Sequence, residues 1–204
     1  RTPVAVMKAQ VDVYKRKNIS KEEAVFVEKI DENIEKLKNL IEAVLMFSKN
    51  QEANISKVCI GSLIEEILFD LEDKIANKNL SVNFIKDEDL CLQTDDTLLQ
   101  RLLFNIIENA IKYNNENGSI EIITKKEKCN TIIEISDTGI GMTDEQKERI
   151  FDLFYQADYS RSGEGFGIGL ALSKEIVDSL GAKITVLDNK SSGSTFVISF
   201  LTEN

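Results

Sequence analysis

Apolar residues at Val4, Met7, Val11 and Tyr14 recur every three or four positions, which puts them on one face of a helix. The stripe stops at Lys15-Arg16-Lys17-Asn18, cations suited to a helix C-terminus followed by a turn residue. Ser20 and Glu23 then form an S-x-x-E capping box, the start signal of a second helix. That helix carries Val27, Ile30, Ile34, Leu37, Ile41 and Val44 on one face, with Phe26, Leu40 and Phe47 on an adjacent one. A lone helical hairpin cannot cover two stripes. The cover is either a second copy of the chain, giving a four-helix bundle, or the chain's own C-terminal part.

Beyond this hairpin the pattern changes. Residues 50–57 are polar and read as a linker, and a mixed pattern follows. A short strand is expected at 58–60, an amphipathic helix at 62–77, strands at 80–86 and 89–94, and a long helix at 95–113. After the turn Asn114-Asn115-Glu116-Asn117-Gly118 come strands at 119–126 and 130–136. A short helix at 144–152, a loop, a helix at 167–180 and strands at 183–188 and 195–201 complete the chain. The order predicts an α+β protein: an antiparallel helical hairpin, then a mixed sheet covered by helices on one face.

Composition narrows the function. With 42% hydrophobic and 29% charged residues among 204, the chain can bury a core. No apolar run approaches the ~18 residues of a membrane span, so this stretch is expected to make no membrane contact. A net charge of −10 argues against direct nucleic-acid binding, which leaves a basic footprint. The three cysteines, Cys59, Cys91 and Cys129, show no C-x-x-C spacing and are expected to be reduced, buried thiols. There is no histidine, which excludes a Ser-His-Asp triad, a histidine-zinc site and an imidazole base within this chain.

Six of the ten glycines sit in two clusters, and that concentration is the first chemical clue. They are Asp137-Thr138-Gly139-Ile140-Gly141-Met142 and Gly163-Glu164-Gly165-Phe166-Gly167-Ile168-Gly169-Leu170, the second running into a helix. Glycines before a helix let backbone N–H groups approach a phosphate at the positive end of the dipole. Each cluster alone equally fits a strand loop with positive-φ positions. Neither is a Walker A loop or sits in a Rossmann β-α-β setting. The long helix adds Asn105, Asn109 and Lys112 on one face, with Ile106, Ile107, Ala110 and Ile111 on the other. Amide oxygens can ligate Mg²⁺, and a lysine below them offers a point charge to a phosphate. Asn is a poor helix former in mid-helix, so two of them weaken the reading as a plain solvated face.

Taken in order, N-I-I-E-N-A-I-K-Y (105–113), D-T-G-I-G-M (137–142), F-D-L-F-Y (151–155) and G-E-G-F-G-I-G-L (163–170) resemble the N, first-glycine, F and second-glycine boxes of two-component sensor histidine kinases. S-S-G-S-T-F (191–196) resembles that family's closing G-x-T/S-x-F strand. The resemblance implies a GHKL (Bergerat) α/β sandwich over 58–204, joined by a 53–57 linker to a dimerisation and phosphotransfer hairpin over 1–52. It further implies that Asn109, with Asn105, holds a Mg²⁺ on the ATP phosphates, that Lys112 contacts a phosphate, and that Tyr113 lies against the adenine. Asp137 would accept from the adenine 6-amino group, with Gly139 and Gly141 keeping that wall open. Gly165, Gly167, Gly169 and Leu170 would line the phosphates in a lid, with Arg161 toward the γ-phosphate and Thr195 at the adenine edge through water. Phe151 and Phe154 are expected to pack the lid base.

Arg1-Thr2-Pro3 resembles the end of the H-E-L-R-T-P phosphoacceptor motif, which implies that the phosphorylated histidine stands just before Arg1. Thr2 then fits a threonine used to dephosphorylate the response regulator. The implied partners are a second copy, through the hairpin, and a response-regulator receiver domain. The implied parent protein is anchored in the bacterial plasma membrane, with this part in the cytoplasm. Two other readings are a hydrolytic GHKL-type ATPase and a nucleotide-binding dimerisation module without kinase activity. Against the first, hydrolytic relatives carry a glutamate where this chain has Asn105, and an amide cannot take a proton from water.

Overall fold

The computed structural model describes residues 2–17, 20–48, 54–87, 90–156, 167–189 and 192–201. It divides into two compact units, Arg1–Gln51 with Gln156–Ile168, and Glu52–Tyr155 with Gly169–Asn204.

In the first unit α1 (Thr2–Lys15) and α2 (Lys21–Ser48) form the expected hairpin. The capping box closes as its spacing requires: the Glu23 N–H donates to Ser20 Oγ at 3.2 Å, and the Ser20 N–H donates to Glu23 Oε2 at 2.8 Å. The helices are tied by Asp31, whose two carboxylate oxygens accept from Lys8 and Lys15 at 2.5 Å each. Lys15 and then Lys8 hold the Asp31 carboxyl below its ordinary value. Val27 and Ile34 are buried, but Met7, Tyr14, Phe26 and Leu37 remain exposed. The side chains of Leu40 and Phe47 lie outside the described residues.

The second unit holds β1 (Ile55–Cys59), α3 (Ile60–Asp70), α4 (Glu72–Asn77), β2 (Ser81–Ile85), β3 (Cys91–Asp95) and α5 (Asp96–Lys112), followed by β4 (Ser119–Glu127), β5 (Asn130–Asp137), α6 (Asp144–Arg149), α7 (Gly169–Ser179), β6 (Ala182–Asp188) and β7 (Ser194–Leu201). Five strands form one sheet in the order β2-β4-β5-β7-β6. β2 runs parallel to β4 and the remaining pairs are antiparallel. β5 is therefore the central strand. Its alternate residues Ile133 and Ile135 are fully buried, as are Ile120 and Ile122 of β4 and Ile198 of β7. The helices contribute Ile64 and Ile67 from α3, Leu102 and Ile106 from α5, and Ile176 and Val177 from α7 to the core.

The structure corrects the expected elements at three places. The stretch 62–77 is two helices, because Leu71 leaves helical geometry (φ −100°, ψ 6°) while its side chain stays buried. The first strand starts at Ile55, so the last residues of the expected linker belong to it. β1 pairs antiparallel with β3 in a separate two-stranded ribbon, and only Val58 of β1 is buried, which erased the alternation from the sequence. The cysteines are the third correction. Cys59 and Cys91 face each other in the ribbon register and form a disulfide, with Cα atoms 4.1 Å apart. Cys129 is free but exposed, so neither the reduced pair nor the expected burial holds. No local spacing announces a bridge across 32 residues; only the register does.

Candidate functional site

The site is built around the end of β5. Asp137 is that strand's last residue, and it is 6% exposed. Both of its carboxylate hydrogen bonds among the described residues fall on Oδ1, from the Gly139 N–H at 2.8 Å and the Ser194 N–H at 3.4 Å. Burial pushes the carboxyl above its ordinary value, and these two N–H groups oppose the shift without cancelling it. Among the described residues Oδ2 accepts no hydrogen bond. A buried carboxylate with one unspent oxygen is a selective acceptor for an N–H donor, since any partner that fails to donate leaves it unpaired.

The backbone around Asp137 closes to a degree only glycine allows. A Cβ at Gly193 would lie 2.2 Å from the Asp137 carbonyl oxygen and 2.6 Å from its Oδ1, and Gly193 also has φ +86°. At Gly139 a Cβ would lie 2.2 Å from the Tyr113 carbonyl oxygen. Gly141 takes φ +67°. The β6–β7 turn folds onto the same wall: Asn189 Nδ2 donates to the Asp137 carbonyl at 2.8 Å, and Ser192 Oγ donates to the Gly139 carbonyl at 3.0 Å. Gly193, Asn189 and Ser192 were missed as site residues. Gly193 and Ser192 both stand in S-S-G-S-T-F, which is the sequence signal for them, and Asn189 has none.

The second wall is α5. Asp95 caps it, accepting from the Leu98 N–H at 3.0 Å, and its apolar face is buried through Leu99, Leu103, Ile106 and Ala110. Asn105, Asn109 and Lys112 are half-buried on its other side. Asn105 Nδ2 donates to the Gly169 carbonyl at 3.4 Å, joining α5 to the first residue of α7. Lys112 Nζ lies 5.3 Å from the centre of the Tyr113 ring, and burial raises the Tyr113 phenol above its ordinary value. Glu108, the carboxylate beside Asn109, is engaged by Lys74 of α4. The two walls meet where the Ile140 N–H donates to the Tyr113 carbonyl at 3.2 Å.

Among the other expected site residues, Thr195 Oγ1 lies 2.9 Å from Ser136 Oγ, one residue before Asp137, in the β5–β7 register. Gly167 has φ +67°, whereas a Cβ at Gly169 would meet nothing, so packing does not require glycine there. Leu170 is half-buried in the first turn of α7. Phe151 is half-buried, but Phe154 is exposed with φ +67°, unlike the packed lid base expected of it. Arg161, Gly165 and the side chain of Thr2 lie outside the described residues. Among the described residues no cluster of three His, Cys, Asp or Glu could hold a metal. The donor set that remains, two amides on one helix face, is the kind offered to a Mg²⁺ that keeps its waters and leans on phosphates.

The fold thus sets a buried carboxylate at the end of the central strand of a mixed sheet, with an amide-bearing helix beside it. Residues 94–204 match the family of histidine kinase-, DNA gyrase B- and HSP90-like ATPases, and the chain belongs to it. It is 32% identical over 208 residues to the sensor protein CiaH of Streptococcus pneumoniae serotype 4, covering 97% of this chain and 46% of CiaH. The chain thus spans about half the length of the curated relatives it matches. The solved catalytic domain of the histidine kinase ThkA is 26% identical, with a TM-score of 0.66 over 73% of this chain and 96% of that one. ThkA in complex with the response regulator TrrA matches at a TM-score of 0.74 and 22% identity, over 98% of this chain and 58% of that one, a likeness of fold.

Proposed function

We propose that this chain is the phosphotransfer hairpin and ATP-binding catalytic part of a two-component sensor histidine kinase. The observation that carries the reading is the Asp137 carboxylate, buried at the end of β5, whose hydrogen bonds among the described residues fall on Oδ1 and not on Oδ2. An adenine 6-amino group is the donor it suits, and guanine would present a carbonyl oxygen there instead. Tyr113 lies against the base, and Gly139, Gly141 and Gly193 keep side chains out of its path. Asn109 and Asn105 offer amide oxygens to Mg²⁺, which when bound neutralises charge on the phosphates. Lys112 and Arg161 contact phosphate oxygens, and Gly165, Gly167, Gly169 and Leu170 belong to the closing lid. Thr195 reaches the adenine edge through water.

The site holds amides, a lysine and backbone donors, but its best-placed neighbour of Asn109 is a Glu108 already paired with Lys74. Such a site positions a phosphoryl group for an external nucleophile. The nucleophile in this reading is a histidine imidazole on the N-terminal helix, upstream of Arg1. The phosphoryl group then passes to an aspartate of a response-regulator receiver domain, and Thr2 orients water for its later removal. The hairpin makes the homodimer, which covers the exposed Met7, Phe26 and Leu37. The hairpin domain covers 1–52, and the catalytic domain opens with β1 at Ile55, inside the stretch 53–57 expected as linker. The parent protein is anchored in the plasma membrane with this part in the cytoplasm.

The test is phosphoryl transfer from radiolabelled ATP with Mg²⁺. The full chain, supplied with a phosphoacceptor helix carrying histidine, should label that histidine with an acid-labile bond. Release of inorganic phosphate with no protein label would favour a hydrolytic ATPase instead.

A further inference from the structure

The two walls of the site come from segments far apart in sequence, α5 and the end of β5, and something must fix their separation. The structure places a polar knot there. Asn114, just beyond α5, is 6% exposed, and both the nitrogen and the oxygen of its amide are hydrogen-bonded. Its Nδ2 donates to the Ser119 carbonyl at 3.0 Å, and its Oδ1 accepts from the Asn115 N–H at 3.0 Å. The same Oδ1 lies 3.2 Å from Thr138 Oγ1, whose single proton can go there or to the Ser119 carbonyl at 3.3 Å. Thr138 stands between Asp137 and Gly139. Its Oγ1 accepts from the Ser119 N–H at 2.8 Å, its own N–H donates to the Ser119 carbonyl at 3.1 Å, and its carbonyl accepts from Asn115 Nδ2 at 2.9 Å. Gly118 makes room, since a Cβ there would lie 2.3 Å from Asn114 Oδ1.

The knot is braced from behind. Lys78 Nζ donates to the Lys112 carbonyl at 2.6 Å and to the Asn114 carbonyl at 3.1 Å. With the Ile140 N–H on the Tyr113 carbonyl, three successive carbonyls at the end of α5 are engaged. A cation at that end also meets the negative pole of the helix dipole. These bonds converge on the buried Asn114 amide, so a shift of either wall breaks hydrogen bonds to a buried polar group.

We infer that Asn114 and Thr138, backed by Lys78, are positioning residues that set the distance between the α5 wall and Asp137, and so match the site to the length of an adenine nucleotide. This deepens the nucleotide-site reading above and rests on it. None of the three touches the base or the phosphates in this arrangement; they act through Tyr113, Lys112 and Asp137.

The test uses the full chain with ATP and GTP binding measured by calorimetry, at a temperature where circular dichroism shows each variant folded. Thr138→Val keeps the shape and removes the hydroxyl, while Thr138→Ser keeps the hydroxyl. Thr138→Val should weaken ATP about tenfold, the size of one orphaned buried hydrogen bond, and lower the ATP-to-GTP preference. Thr138→Ser should restore both to within about twofold. If Thr138→Val does not fold, the half-exposed Lys78→Met serves, with an expected loss of about threefold in ATP affinity, the scale of a partly exposed hydrogen bond. Lowered thermal stability with unchanged ATP affinity and base preference would overturn the inference while leaving the site intact. No saturable ATP binding by the parent chain would overturn both.

Discussion

The Asp137 carboxyl is buried at a cost to the fold. Burial raises its carboxyl pKa, so the folded chain holds that proton more tightly than the unfolded chain does. The charged form therefore opposes folding, and its penalty grows as pH rises through the folded pKa. The ligand-free Asp137→Asn protein should accordingly melt no lower than the parent at pH 7, checked by calorimetry. In the proposed site adenine binding needs the charged form, so the affinity ratio of parent to Asp137→Asn should fall as pH drops through that raised value. The opposite sign holds at Asp31, whose pKa is lowered by Lys15 and Lys8. Its contribution is present above the ordinary carboxylate range and is lost as pH falls through the folded value. Thr131 makes a separate case: its Oγ1 is buried with no hydrogen-bond partner among the described residues. Thr131→Val, nearly the same shape on a strand, should raise stability by roughly 1 kcal/mol in a denaturant titration. Asp137, Gly139 and Gly141 were legible in the sequence because they sit together in one motif. Asn114 and Thr138 were not, because their roles exist only when the end of α5 and the end of β5 come together.

At the level of elements, α5 and the sheet strands announced themselves through strong periodicity, and their bounds fall within a residue or two of those expected. β1 did not, since a strand in a two-stranded ribbon buries one residue and its neighbours read as linker. The break at Leu71 was equally hidden, because a buried leucine at a helix junction keeps the apolar period intact. The disulfide staples that ribbon. β3 runs directly into α5 through the Asp95 cap, and the Asn54 N–H donates to the second Asp95 oxygen at 2.9 Å. The bridge closes a loop of 32 residues, and on chain-entropy grounds it should contribute about 2–4 kcal/mol. Reduction, or Cys91→Ser, should lower the melting temperature of the catalytic unit by several degrees, read by calorimetry with and without reductant. Because the bridge lies within the β1–β3 ribbon and not on α5 or the end of β5, ATP affinity of the folded protein should be unchanged.

For the whole molecule, the hairpin buries Val27 and Ile34 and leaves a broad apolar surface, including Phe26 at 65% exposure. A face of that kind on a free hairpin calls for a partner helix pair. Sedimentation at micromolar concentration should give a dimer, and Phe26→Glu with Leu37→Glu should shift it to monomer while leaving nucleotide binding intact. The absence of histidine takes its meaning at this scale. The chain carries the apparatus for holding a nucleotide, and in the proposed reaction the acceptor belongs to the helix upstream of Arg1. In the proposed function Asp137 reads the adenine of a bound ATP. Titrating the chain and its Asp137→Asn variant with ATP and Mg²⁺ in a calorimeter tests it most directly. Saturable binding at one site per chain, weakened about tenfold or more by the substitution, is the predicted result. No saturable binding, or equal affinity in the two proteins, would contradict it.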